Sequence, residues 1–237
     1  MEKYHKDLLV LVLVGLLAVE LGGLLLGGLT ALMLAGGMSY LVRQGLSLET
    51  IGQLFMENPK ALGLSTLVSH TFITPTRSYV VIRCGRKYGL SWREQFRGLR
   101  QLGREHVLRL LPVLALILAV ELAPTLLLGG MPQAYEEYRF YVQVGTGAFG
   151  YALALAYYLA EGLWLAAALE LGSLRAKWGG LAILLAVWAP PHLLRPHGID
   201  VVNLLWALIT AVILELSRRA GRNTAVVLAL WMAIVLI

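Results

Sequence analysis

The chain has a single cysteine, Cys84, among 237 residues. A disulfide framework and any thiolate-based zinc or iron–sulfur site are therefore excluded, and Cys84 reads as a small packing residue. Charge is scarce as well: 14% of the residues are Asp, Glu, Lys or Arg, against about a quarter in an average soluble domain. With 58% apolar residues and a mean hydropathy of +0.72, this excludes a soluble globule. Internal repeats and low-complexity linkers are also lacking, so one transmembrane domain, 1–237, is expected. A removable signal pattern is missing too. Lys3 and Lys6 precede an apolar run of roughly 30 residues, too long for an h-region and without a cleavage site, so the run is expected to stay as a first span.

The chain does have long apolar segments: Leu8 to Gly37, Ala61 to Arg83, Val107 to Leu128, Gln143 to Leu169, Gly179 to Leu194, Val201 to Leu216 and Thr224 to Ile237. At about 20 residues per crossing they predict an all-α membrane bundle of about seven spans. Residues 8–37, with glycine pairs at 22–23, 27–28 and 36–37, form one tilted span or two short ones. The net charge of +6 sets orientation here and does not point to nucleic acid. Between Arg77 and Arg109 stand nine Arg or Lys against two Glu, which predicts a cytoplasmic segment. The alternation then puts Gly129 to Tyr141 outside, as a loop, and Arg175, Lys177, Arg218, Arg219 and Arg222 inside. The N-terminus is expected in the cytoplasm and the protein in the inner membrane. Within the basic segment, Trp92, Phe96 and Leu99 recur at helical spacing beside Arg93, Arg97, Arg100 and Arg104. This pattern predicts an interfacial helix touching membrane lipids.

Ionisable side chains inside a bilayer cost several kcal/mol and ask for a partner or a function. Glu20, His70, Glu121, Glu161 and His192 fall in predicted spans, and Arg77 near the cytoplasmic end of the second. In an antiparallel hairpin, residues equally far from the turn share one depth. The midpoint of Glu161 and His192 falls between Ala176 and Lys177, in a basic turn, about 15 residues or 20 Å from each. Across the turn at His197 and Gly198 the same test pairs His192 with Asn203. A buried Glu with an imidazole suits water activation, and an Asn amide suits a developing oxyanion. The same three residues equally suit a closed hydrogen-bond network gluing three helices.

The stretch Tyr157-Tyr-Leu-Ala-Glu161-Gly-Leu-Trp, followed by Leu184-Leu-Ala-Val-Trp188-Ala-Pro-Pro-His192, resembles the core of the CAAX-protease and bacteriocin-processing family of intramembrane proteases. Trp188-x-x-x-His192 is similar to its Phe-x-x-x-His motif, and Glu161 to one Glu of its Glu-Glu-x-x-x-Arg motif. Ser217-Arg-Arg-Ala-Gly-Arg-Asn-Thr resembles the turn before its last span. The likeness covers residues 150–237. It departs from the family at Ala160 and Gly162, which break the Glu pair, and at Leu165 or Ala166 in the Arg position. Around Leu230 and Trp231 the third motif, His-x-x-x-Asn or Asp, is absent.

The resemblance implies hydrolysis of membrane-tethered or prenylated peptides, with Glu161 as general base and His192 as water or oxyanion partner. The alternatives are a catalytically silent relative that binds membrane partners and a small proton-coupled carrier using Glu20, Glu121 and Glu161. No motif assigns a cofactor or a metal; His70 and His192 lack any local haem or metal pattern. Glu136-Glu137-Tyr138-Arg139 imitates a paired-carboxylate motif but belongs to the predicted outer loop. Pro190-Pro191 removes two backbone donors just before His192, so a kink or a helix end is expected there.

Overall fold

The computed structural model describes residues 2–16, 43–45, 47, 50, 59–100, 102–128, 133–195 and 198–237. Glu20, His197 and most of the first apolar segment, including the question of one span or two, lie outside the described residues. The remainder is helical: α1 (Glu2–Leu16), α2 (Pro59–Lys87), α3 (Trp92–Leu99), α4 (Arg104–Leu128), α5 (Gln133–Gln143), α6 (Gly147–Ser173), α7 (Gly179–Ile183), α8 (Val201–Gly221) and α9 (Thr224–Leu236). After α7 the chain continues through a π turn, Leu184–Trp188, and a 3-10 turn, Pro190–Leu193, into a two-residue antiparallel pair, Leu194–Arg195 with Gly198–Ile199. Among the described residues two helices, α6 and α8, are long and apolar enough to cross a membrane.

Helix α6 is the hub, touching α1, α2, α5, α7, α8 and α9, while α4 packs on α8. Contacts fix the directions of its neighbours. Trp164 Nε1 donates to Leu11 O at 2.9 Å and Tyr4 donates to Leu171 O, so α1 runs antiparallel to α6. Gly63 lies against Val144, His70 against Tyr157 and Arg77 against Glu161, so α2 runs parallel to it. Gly15 leaves room for the Trp164 ring: a Cβ there would sit 2.1 Å from it. Trp164→Phe is expected to cost about 1 kcal/mol, the net value of one hydrogen bond. Reversible unfolding in mixed detergent micelles measures it.

Residues 129–141 differ from the loop expected of them, because α5 occupies most of that segment. Its inner face is buried by Tyr141, and Glu137 accepts a hydrogen bond from Tyr158 Oη at 3.0 Å. Burial raises the Glu137 carboxyl above the usual carboxylate range, partly offset by that bond. The expected fourth segment begins four residues late. Gly145 and Gly147 take positive φ, 82° and 53°, and this glycine turn separates α5 from α6. Helix α3 forms where expected with no fully buried residue. Trp92 and Leu99 nevertheless pack partly against the protein core, while Phe96 is exposed.

A candidate polar centre between α2, α6 and the π turn

Glu161 sits on the buried face of α6, 5% exposed. Its Oε1 accepts the indole hydrogen of Trp188 at 2.9 Å, and Arg77 Nη1 stands 3.7 Å from the same oxygen. Arg77 is buried to 1% exposure, and its guanidinium lies 5.1 Å above the Tyr157 ring. His70, two turns earlier on α2, stacks on that ring at 4.2 Å and 13°. The resemblance has its Arg four residues beyond the Glu on the same helix. In this chain those positions are buried Leu165 and Ala166, and the guanidinium comes from another helix. Its only sequence signal was an arginine seven residues after His70 and inside a predicted span.

The π turn explains how Trp188 reaches Glu161. Ala189 N bonds to Leu184 O across five residues, since Pro190 and Pro191 cannot donate. Of the two expected outcomes the helix end occurs: the 3-10 turn Pro190–Leu193 closes the helix, with His192 N bonding to Ala189 O. His192 Nδ1 lies 2.9 Å from Trp188 O, and the two rings are 4.5 Å apart. A carbonyl only accepts, so Nδ1 carries a hydrogen. Asn203 Nδ2 donates to the backbone oxygen of His192 at 2.8 Å, and its backbone N–H donates to Oδ1 of Asp200, the N-cap of α8.

Glu161 connects to His192 through Trp188, and Asn203 joins at the backbone oxygen of His192 and not at its ring. The bonds involving Asn203 end on backbone and on the Asp200 cap. Trp231, near the position where the third motif would fall, packs on Trp188 at 5.7 Å and 86° and donates to Tyr158 O at 2.8 Å. Glu121 is matched in the same way, accepting from Trp206 Nε1 at 2.9 Å. Trp164, Trp188, Trp206 and Trp231 therefore each donate one hydrogen to an element other than their own, and two of the acceptors are carboxylates, Glu161 and Glu121. Among the described residues no three His, Cys, Asp or Glu side chains gather into a metal site.

A second polar cluster lies at the end of the bundle that carries the basic turns. Asp7 accepts from both Lys87 and Tyr88. Glu215 binds Arg218 through two bonds and Arg219 through one, and Arg218 also reaches Glu170 at 3.3 Å. Asn223 Nδ2 donates to Gln95 O, and Gln95 Oε1 accepts from Thr224 N, so α3 is docked onto the α8–α9 turn. No family model, no curated protein and no solved structure matches the chain.

Proposed function

We propose that the chain is a multi-pass protein of the inner, cytoplasmic membrane with about seven spans and a cytoplasmic N-terminus. Its CAAX-protease-like centre holds the bundle together for binding membrane partners and does not hydrolyse peptides. The membrane part is supported by α6 and α8 and by α4, which exposes Leu108, Leu111 and Leu118 along one side. Such a face suits hydrocarbon and is costly in water. The orientation is supported by the grouping of Lys87, Lys177, Arg219 and α3 at one end, which Tyr4 of α1 shares through its bond to Leu171.

One observation carries the non-hydrolytic reading: Glu161 Oε1 is already engaged by Trp188 and faced by Arg77. A general base has to stand within hydrogen-bond reach of the water it deprotonates, and both neighbours belong to the fold. The hydrolase reading is second. What favours it is His192, half-buried in the 3-10 turn with its ring oriented by the contact of Nδ1 with Trp188 O. New peptide N-termini in membranes separate the two readings, comparing cells with the wild-type chain, with Glu161→Gln, and with none. The three sets are expected to coincide. A group of termini present with wild type and lost in Glu161→Gln would establish hydrolysis and overturn the proposal.

A further inference from the structure

Where α3 docks onto the α8–α9 turn the surface encloses a hollow of about 280 Å³, lined among others by Gln95, Glu170, Arg218, Arg219 and Arg222. Arg218 spends its Nε and both terminal nitrogens on Glu215 and Glu170. Arg219 is fixed differently. Nε goes to Glu215, Nη2 goes to Lys177 O, and the guanidinium lies 3.5 Å from the centre of the Trp178 ring. Arg222 adopts a left-handed conformation, φ 49°, at the end of α8. Its guanidinium is exposed and has no partner among the described residues. Of α3 only Gln95 lines the hollow, while Arg93, Phe96 and Arg97 of that helix are exposed outside the lining. The two carboxylates are therefore consumed in holding Arg218 and Arg219, while Arg222 stays open to an incoming anion.

We propose that this hollow binds the phosphate of an anionic phospholipid, with Arg222 as its principal ligand and Arg219 as a pre-oriented second donor. A phosphodiester group fits the volume, and guanidinium donors match its oxygens. Exposed Phe96, next to the lining residue Gln95, sets the site at headgroup level, where the acyl chains reach hydrocarbon. The proposal rests on the membrane reading above. Free phosphate shares the chemistry but not the acyl chains, so the two sources are separable.

The test is native mass spectrometry of the full chain in detergent, titrated separately with dioleoylphosphatidylglycerol, dioleoylphosphatidylcholine and inorganic phosphate. One tight phosphatidylglycerol site is expected, with weaker phosphatidylcholine binding and no competition from millimolar phosphate. Arg222→Asn suits the left-handed backbone and should weaken that site about fivefold, the factor for one basic residue at an anionic surface. Arg93→Gln should leave it unchanged. The unfolding midpoint of lipid-free Arg222→Asn reports whether the variant is folded; if it is not, Arg222→Lys should retain tight binding. Equal weakening by Arg93→Gln would reveal a diffuse basic patch and overturn the site. Displacement by inorganic phosphate would overturn the lipid source. Recovery of the wild-type chain outside the membrane fraction would instead overturn the membrane reading, independently of the titration.

Discussion

Arg77→Met is expected to lower the unfolding free energy by about 3–5 kcal/mol, the cost of leaving one member of a buried ion pair without its partner. The member left behind would be Glu161, whose Oε1 stands 3.7 Å from Arg77 Nη1 across α2 and α6. Glu161→Gln should cost at least as much, because the amide oxygen still accepts from Trp188 Nε1 but the buried Arg77 guanidinium loses the carboxylate and cannot shed its own charge. The double variant should be more stable than the two single losses added together predict, with a coupling of about 1–3 kcal/mol. Reversible unfolding of the four proteins in mixed micelles gives the cycle. If Glu161→Gln proved more stable than wild type, the carboxylate would be held under strain, as functional acids often are, and its structural role would be refuted.

Gly180→Ala is expected to be nearly as damaging, at ~3 kcal/mol, the upper part of the overpacking range. A Cβ there would stand 2.2 Å from Leu169 O and 2.5 Å from Leu169 Cα. Both are backbone atoms, so no side chain can swing aside. Gly172 faces the same contact from α6, its own Cβ position lying 2.6 Å from the Gly180 nitrogen. This close approach of small residues makes the α6 to π-turn hairpin tight enough for Trp188 to reach Glu161. Gly103→Ala is the matched control, since its Cβ would meet nothing closer than His106 Nδ1 at 3.9 Å. Equal unfolding midpoints for the two variants would show that the hairpin loosens at no cost.

The sequence made helix positions legible because apolar length is a strong signal that needs no partner. Helices lie on each of the seven apolar segments within the described residues. Residues 133–143 escaped because their helix depends on Tyr141 and Glu137 finding a buried neighbour, a tertiary contact that local polarity hides. The link between Glu161, His192 and Asn203 was readable from hairpin depth alone, since equal spacing from a turn is a geometric constraint. Depth says nothing about which groups face each other. Spacing therefore missed the Trp188 indole between them and the Arg77 guanidinium, which arrives from a helix 84 positions earlier than Glu161. The indole donors were invisible for a simpler reason. Tryptophan counts as apolar in any hydropathy profile, yet here its one polar atom satisfies Glu121 and Glu161.

That separation of 84 positions also bears on biogenesis. Ribosomes add about 5–20 residues per second, so Arg77 leaves the tunnel roughly 4–17 seconds before its counterion exists. If the chain inserts as proposed above, a guanidinium exposed to hydrocarbon during that interval would carry a penalty of up to about 2.5–3.5 kcal/mol, the insertion-scale value at a helix centre. On the multi-pass reading proposed above, the helix that carries Arg77 would wait at the translocon or beside an insertase until the segment that carries Glu161 emerges. Assembly would in that sense be deferred rather than vectorial, the earlier helix entering lipid together with the later one.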